Sequence, residues 1–209
     1  MQANLHAALP GFIGTLAVER GRVTSVSYLP YYWQQEYLDW REAALKARVN
    51  EVHALLGAAA KYGAFRIEGT EEERSRTARR IADLTRVGKS VDVTLGIYAA
   101  YAFADSNLIE QVRSVRDFVR SDLGADLFDL ALLANALSGK RIENPNDAIP
   151  FCPMITRGWQ LLRVKNVSLP ELVEKARYDM RDAVWTTFGP RGMELIFSAI
   201  QQTRSTNRG

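Results

Sequence analysis

The stretch from Val93 to Ala104 constrains this chain more than any other, because it reads as a helix with no polar face. Asp92 is placed to cap it. Leu95, Ile97, Tyr98, Tyr101 and Phe103, with four alanines, are distributed round its whole circumference. Such a helix is stable only when other elements cover it on every side. Its apolar run is interrupted by Thr94 and falls well short of the ~20 residues that cross a bilayer. The chain must therefore build a core around it.

The elements available for that core follow from changes of period. Phe12 to Val18 and Val23 to Leu29 are rich in β-formers and joined by Glu19-Arg20-Gly21-Arg22, a hairpin signal. A lone hairpin is marginal in water, so these strands should lie against a helix or extend a sheet that belongs to something else. Beyond Pro30, the stripe Trp33, Tyr37, Trp40, Ala44, Ala47 marks a helix reaching about Tyr62. Phe65 to Glu68 is short enough for a strand or a linker. Thr70 and Glu73 form a capping box before a helix with acidic residues first and Arg79, Arg80 and Arg86 later, the order the helix dipole favours. After the central helix, Asn107 with Glu110 should open another that stops at Gly124. Asp126 to Leu137, Met154 to Val164, Ser168 to about Thr186 and Arg191 to Gln201 complete the expected helices, with Gly139 to Pro150 as the longest loop and Thr203 to Gly209 as a frayed tail. The expectation is a mainly α protein: one domain over 1–209, a bundle of about seven helices with a small N-terminal β-hairpin at about 12–29.

Charge narrows the partners. The 27 basic and 24 acidic residues give a formal net charge of +3, and no third of the chain is a polybasic arm. Nucleic-acid affinity depends on clustered cations releasing counterions. The single local cluster, Arg74 to Arg86, follows three glutamates and suits a solvated helix, so nucleic acid is an unfavoured partner. The N-terminus lacks the basic start and apolar core of a signal peptide. A cytoplasmic location without membrane association is expected.

Few residues could carry chemistry. Cys152 is the only cysteine and lies between Pro150 and Pro153. An activated thiol needs a base or a helix N-terminus to lower its pKa. His6 and His53 are remote in sequence, which leaves Cys152 as a weak catalytic candidate and the buried structural role as the favoured one. Asp122, Asp126 and Asp129 are spaced four and three apart across a helix start, where the dipole welcomes acidic groups regardless of function. No metal-ligand spacing and no phosphate loop is present, so neither a metal nor a cofactor is expected. The aromatic run Tyr31, Tyr32, Trp33, continued by Tyr37 and Trp40, stands at the junction of hairpin and long helix. Clusters of this kind are enriched in interfaces as well as in cores, which makes these five residues the candidate partner-binding set.

Six segments together resemble a known arrangement: Val-Ser-Tyr-Leu-Pro at Val26 to Pro30, Phe-Arg-Ile-Glu-Gly at Phe65 to Gly69, the central helix from Thr94 to Ala102, Asp122 to Asp129, Pro150 to Met154 followed by Gly158 and Trp159, and Val184 to Phe188. They are similar to the helical region C-terminal to the protease domain in some bacterial caspase-like proteins, over most of residues 24–188. The resemblance implies scaffolding, regulation or recruitment of a protein partner, either a protease or an effector domain. It carries over no catalytic residue, because a caspase-like protease needs a His and Cys pair on an α/β sheet and this chain has no such pattern. The sequence therefore points to a non-enzymatic interaction or regulatory module. The alternatives are a thiol-dependent enzyme using Cys152 and a nucleic-acid binder using Arg74 to Arg86.

Overall fold

The computed structural model describes residues 2–19, 21–31, 70, 72, 73, 92–143 and 148–206. The chain divides into two compact units, Leu9–Ala125 and Met1–Ala8 with Asp126–Gly209. The first unit is thus inserted within the second along the chain.

In the inserted unit, β2 (Phe12–Glu19) and β3 (Arg22–Pro30) form an antiparallel hairpin that pairs Glu19 with Arg22 and Phe12 with Pro30. The two-residue turn is possible because Gly21 takes φ 75°, a region that costs glycine nothing. The open end is closed by Tyr31 N–H donating to the Gly11 carbonyl at 3.0 Å. Two helices follow, α1 (Val93–Asp105) and α2 (Ile109–Leu123). Every residue from Val93 to Phe103 is buried, as the missing polar face of α1 requires. A β-carbon at Gly96 would lie 3.2 Å from Val119 Cγ2, so α1 and α2 approach closely at that glycine. Asp92 Oδ1 accepts from Thr94 N–H at 2.8 Å, capping α1, and from Tyr28 N–H at 3.2 Å. One buried carboxylate thereby fastens the hairpin to the central helix. The Thr70–Glu73 box forms as the spacing predicts, with Thr70 N–H to Glu73 Oε2 at 2.7 Å and Glu73 N–H to Thr70 Oγ1 at 3.3 Å.

In the other unit, β1 (Ala3–Asn4) pairs antiparallel with β4 (Thr187–Phe188). Around them are α3 (Phe128–Leu133), α4 (Thr156–Val164), α5 (Glu171–Ala176), a 3-10 turn (Arg177–Asp179) and α6 (Pro190–Thr206). Their core includes Leu5, Phe128, Leu132, Leu162, Val173 and Ile196, centred on Trp159 packed edge-on against Phe188 with ring centroids 5.8 Å apart. The indole of Trp159 spends its N–H on Thr186 Oγ1 at 2.9 Å and the Pro153 carbonyl at 3.1 Å, which satisfies the polar atom its burial would otherwise orphan.

This architecture overturns the expected seven-helix bundle. Among the described residues, about 49% are helical and about 18% are in strands, with four short strands in two antiparallel sheets and six α-helices. Two helices, α3 and α5, end well before their apolar periodicity suggests, and for α3 the reason is local. Asn135 takes φ 65° and Ala136 N–H bonds back to the Ala131 carbonyl, so α3 stops four residues before the expected Leu137. Asn166 (φ 52°) and Asn107 (φ 59°) end α4 and α1 in the same way, through Val167 N–H to the Leu162 carbonyl and Leu108 N–H to the Phe103 carbonyl. Asn107 therefore terminates α1 instead of capping α2, whose first turn is led by Leu108. The expected helix from Ser168 to about Thr186 begins only at Glu171 and ends at Ala176; after the 3-10 turn the chain is extended at Met180, which bridges antiparallel to Phe188, and Arg181 N–H donates to the Thr187 carbonyl at 2.8 Å. Thr203 to Thr206 continue α6 instead of fraying.

Candidate functional site

Among the described residues of the inserted unit, the hairpin presents an exposed apolar strand. Along β3, Val23, Val26 and Tyr28 are buried, while β2 is exposed from Ile13 to Glu19 on both of its faces. Gly14 pairs with Tyr28 and Leu16 with Val26, so Leu16 shares the face that carries the buried residues of β3, yet it remains 44% exposed. Val18 is 61% exposed and Ile13 42%. Phe12 to Val18 contains no charged residue, and neither lysine nor proline guards the strand. A register shift between Ala17 and Val18 is its single edge-blunting device. A strand with this composition is a template for another strand, since backbone groups directed away from its partner need hydrogen bonds and exposed apolar side chains need cover.

Tyr31, directly after β3, is half-buried and contributes its backbone to the hairpin closure. The other four members of the aromatic set, Tyr32, Trp33, Tyr37 and Trp40, lie outside the described residues. So do Arg74 to Arg86 and His53.

Cys152 is fully buried in the core of the other unit. Burial, reinforced by the negative charge of Asp129, pushes its thiol well above the ordinary range. That is the reverse of the electropositive, accessible setting in which a thiolate becomes a nucleophile. Asp129 is itself buried and accepts from Met154 N–H at 2.7 Å and Ile155 N–H at 3.2 Å. Its carboxylate thus organises the Pro150 to Ile155 segment and the start of α4. Asp126 is half-buried and Asp122 exposed. Among the described residues, no group of three or more His, Cys, Asp or Glu side chains is arranged to hold a metal ion. No helix among them is long and apolar enough to cross a membrane.

One feature of the surface escapes a linear reading: the exposure of β2 is signalled only by its lack of charge, which is equally the mark of a buried strand. Comparison of the chain with protein-family models, curated proteins and solved structures gives no match.

Proposed function

We propose that this chain is a non-enzymatic interaction or regulatory module that docks on a protein partner through the outer strand of its hairpin. The observation that carries the reading is β2, uncharged from Phe12 to Val18 and exposed on both faces beside a partner strand that is anchored in the core. Strand addition at such an edge takes its affinity from main-chain hydrogen bonds and its specificity from exposed side chains, here Leu16 and Val18 two residues apart and Ile13 on the opposite face. The partner class is the one the sequence resemblance implies, a bacterial caspase-like protease or effector domain. The aromatic set Tyr31, Tyr32, Trp33, Tyr37 and Trp40 follows the hairpin in sequence and belongs to the same proposal.

The test is calorimetric titration of the chain with a purified caspase-like protease domain from the same genome. Wild type should bind, and Leu16→Lys or Val18→Lys, which place a gatekeeper charge at exposed positions of the edge, should weaken binding about tenfold or more. Binding that survives both variants would remove the hairpin from the interface. Absence of binding by the wild type would reject the partner class.

A further inference from the structure

The alternation of the hairpin's ladder fixes which backbone groups of β2 face outward. Tyr31 N–H donates to the Gly11 carbonyl at 3.0 Å, so Gly11 and Tyr31 are a hydrogen-bonded pair, and in an antiparallel ladder such pairs recur at every second residue. Ile13 with Leu29, Thr15 with Ser27 and Ala17 with Ser25 therefore bond across the hairpin. Two further contacts agree with this alternation. Tyr28 N–H turns away from β2 to Asp92 Oδ1 at 3.2 Å, and the Ala17 carbonyl faces β3, where it accepts from Thr24 Oγ1 at 3.2 Å. The N–H and C=O groups of Gly14 and Leu16 consequently lie along the outer edge, with those of Val18 next in the sequence of pairs. Among the described residues, none of the three has a hydrogen-bond partner on that side. Leu16 and Val18, on one face of the strand, are exposed as well.

An edge of this kind is complementary to itself. Two copies of β2 laid antiparallel with Leu16 opposite Leu16 bring outward-facing backbone groups together throughout, since Gly14 of each then meets Val18 of the other. The exposed Val18 thus falls beside the one position of the strand without a side chain. On the opposite face, Thr15 meets Ala17 and Ile13 meets Glu19. Charge selects this orientation. Glu19 and Arg20 are the only charges from Phe12 to Arg20 and stand at one end, so an antiparallel copy sets them against uncharged residues, whereas a parallel copy would stack Glu19 on Glu19. A strand with charges along its length would find no counter-charge on β2. We propose that a second copy of this chain occupies the outer edge of β2 through a two-fold axis at Leu16, and that a docking partner must displace it. The inference rests on reading β2 as the docking edge and adds the regulation of that edge. A strand of eight residues falls short of the roughly 20–30 residues a side of a standard interface, so the pair is weak enough to give way.

The experiment is analytical ultracentrifugation of the full chain over a range of concentrations, joined to cysteine cross-linking. The mass should rise from one chain toward two as concentration increases. Leu16→Lys should stay monomeric while exchange protection of the Tyr28 amide, held by Asp92, shows its hairpin intact. In the proposed register the two Leu16 α-carbons lie about 5.5 Å apart, inside the ~4.4–6.8 Å range of a disulfide. Two Val18 residues are out of register by about 13 Å along the strands. Mild oxidation should therefore link Leu16→Cys into a dimer about tenfold or more faster than Val18→Cys, and the buried Cys152 takes no part. A wild type that stays monomeric at every concentration, or a dimer linked equally well through Val18→Cys, overturns the proposal. The linked Leu16→Cys dimer should bind the protease domain only after reduction. Undiminished binding by the linked dimer would show that the second copy does not cover the docking edge, which also overturns it. Self-association without binding of the protease domain would refute the partner class alone. Binding by a chain that is monomeric throughout would refute the second copy alone.

Discussion

His6 sits against Trp185 with ring centroids 5.8 Å apart, and neither of its buried ring nitrogens has a hydrogen-bond partner. Burial lowers its pKa to about 4. The unfolded chain takes up this proton near the ordinary value of about 6.5, whereas the folded chain stays neutral until about pH 4, so stability should fall as pH drops through that window and change little further from this group below it. The shift corresponds to about 3 kcal/mol in all. Urea unfolding at about pH 7 and about pH 5 should show the loss in wild type and a much flatter response in His6→Phe. Equal slopes in the two proteins would mean that the imidazole titrates in contact with water. The exposed carboxylates of Glu73 and Glu171, held low by hydrogen bonds from Thr70 and from Lys175, can contribute only below the ordinary carboxylate range, so they do not confuse the comparison. Asn166 offers a second residue-scale test, since its φ of 52° is one that only glycine adopts freely. Asn166→Gly should hold or slightly raise stability, while Asn166→Ala should cost about 1 kcal/mol. An alanine variant as stable as wild type would show that the left-handed cap does not determine where α4 ends.

At the scale of elements, the start of α6 depends on a side chain from outside the helix. Asp179 Oδ2 accepts from Gly192 N–H at 2.8 Å, and the Asp179 carbonyl accepts from Gly189 N–H at 2.8 Å. A β-carbon at Gly189 would fall 2.6 Å from both carboxylate oxygens of Asp179 and from Arg181 Nη2. Gly189→Ala must therefore displace the cap, at a cost of about 1–2 kcal/mol. The same substitution in an Asp179→Ala background should cost much less. Additive losses in that double-mutant cycle would place the damage elsewhere. The hairpin, the Thr70–Glu73 box, the Asp92 cap and the Gly124 stop were legible in the sequence for one reason: each is determined within a few residues. The fold class was not legible. Met180 to Thr186 lie in a run that periodicity reads as the end of a helix, whereas the chain there is extended or irregular and leads into Thr187 and Phe188, which pair with Ala3 and Asn4 more than 180 residues away. Of the candidate sites, the structural setting of Cys152 was readable from its prolines and remote histidines. The exposure of β2 was not, because an uncharged strand reads equally well as a buried one.

At the scale of the molecule, the chain enters one unit, leaves it at Leu9 and returns at Asp126. The first eight residues are therefore structural members of a unit whose remainder is made over a hundred residues later. They supply a strand to β4, Leu5 to the core, Leu5 N–H to the Thr186 carbonyl at 3.1 Å and Asn4 Oδ1 to the hydroxyl of Thr187 at 2.5 Å. Without them, β4 loses its pairing partner, and Phe188, which packs on Trp159, loses part of its cover. Deleting residues 2–8 should accordingly weaken amide-exchange protection in α3 and α4 by a factor of about ten or more, while α1 and α2, whose core lies in the inserted unit, keep theirs. Equal loss of protection in all four helices would show that the two units unfold as one. Unchanged protection in α3 and α4 would show that the N-terminal strand is dispensable. Selective loss would establish that the inserted unit, with its exposed hairpin, has a stability of its own, as a module that presents β2 to a partner requires.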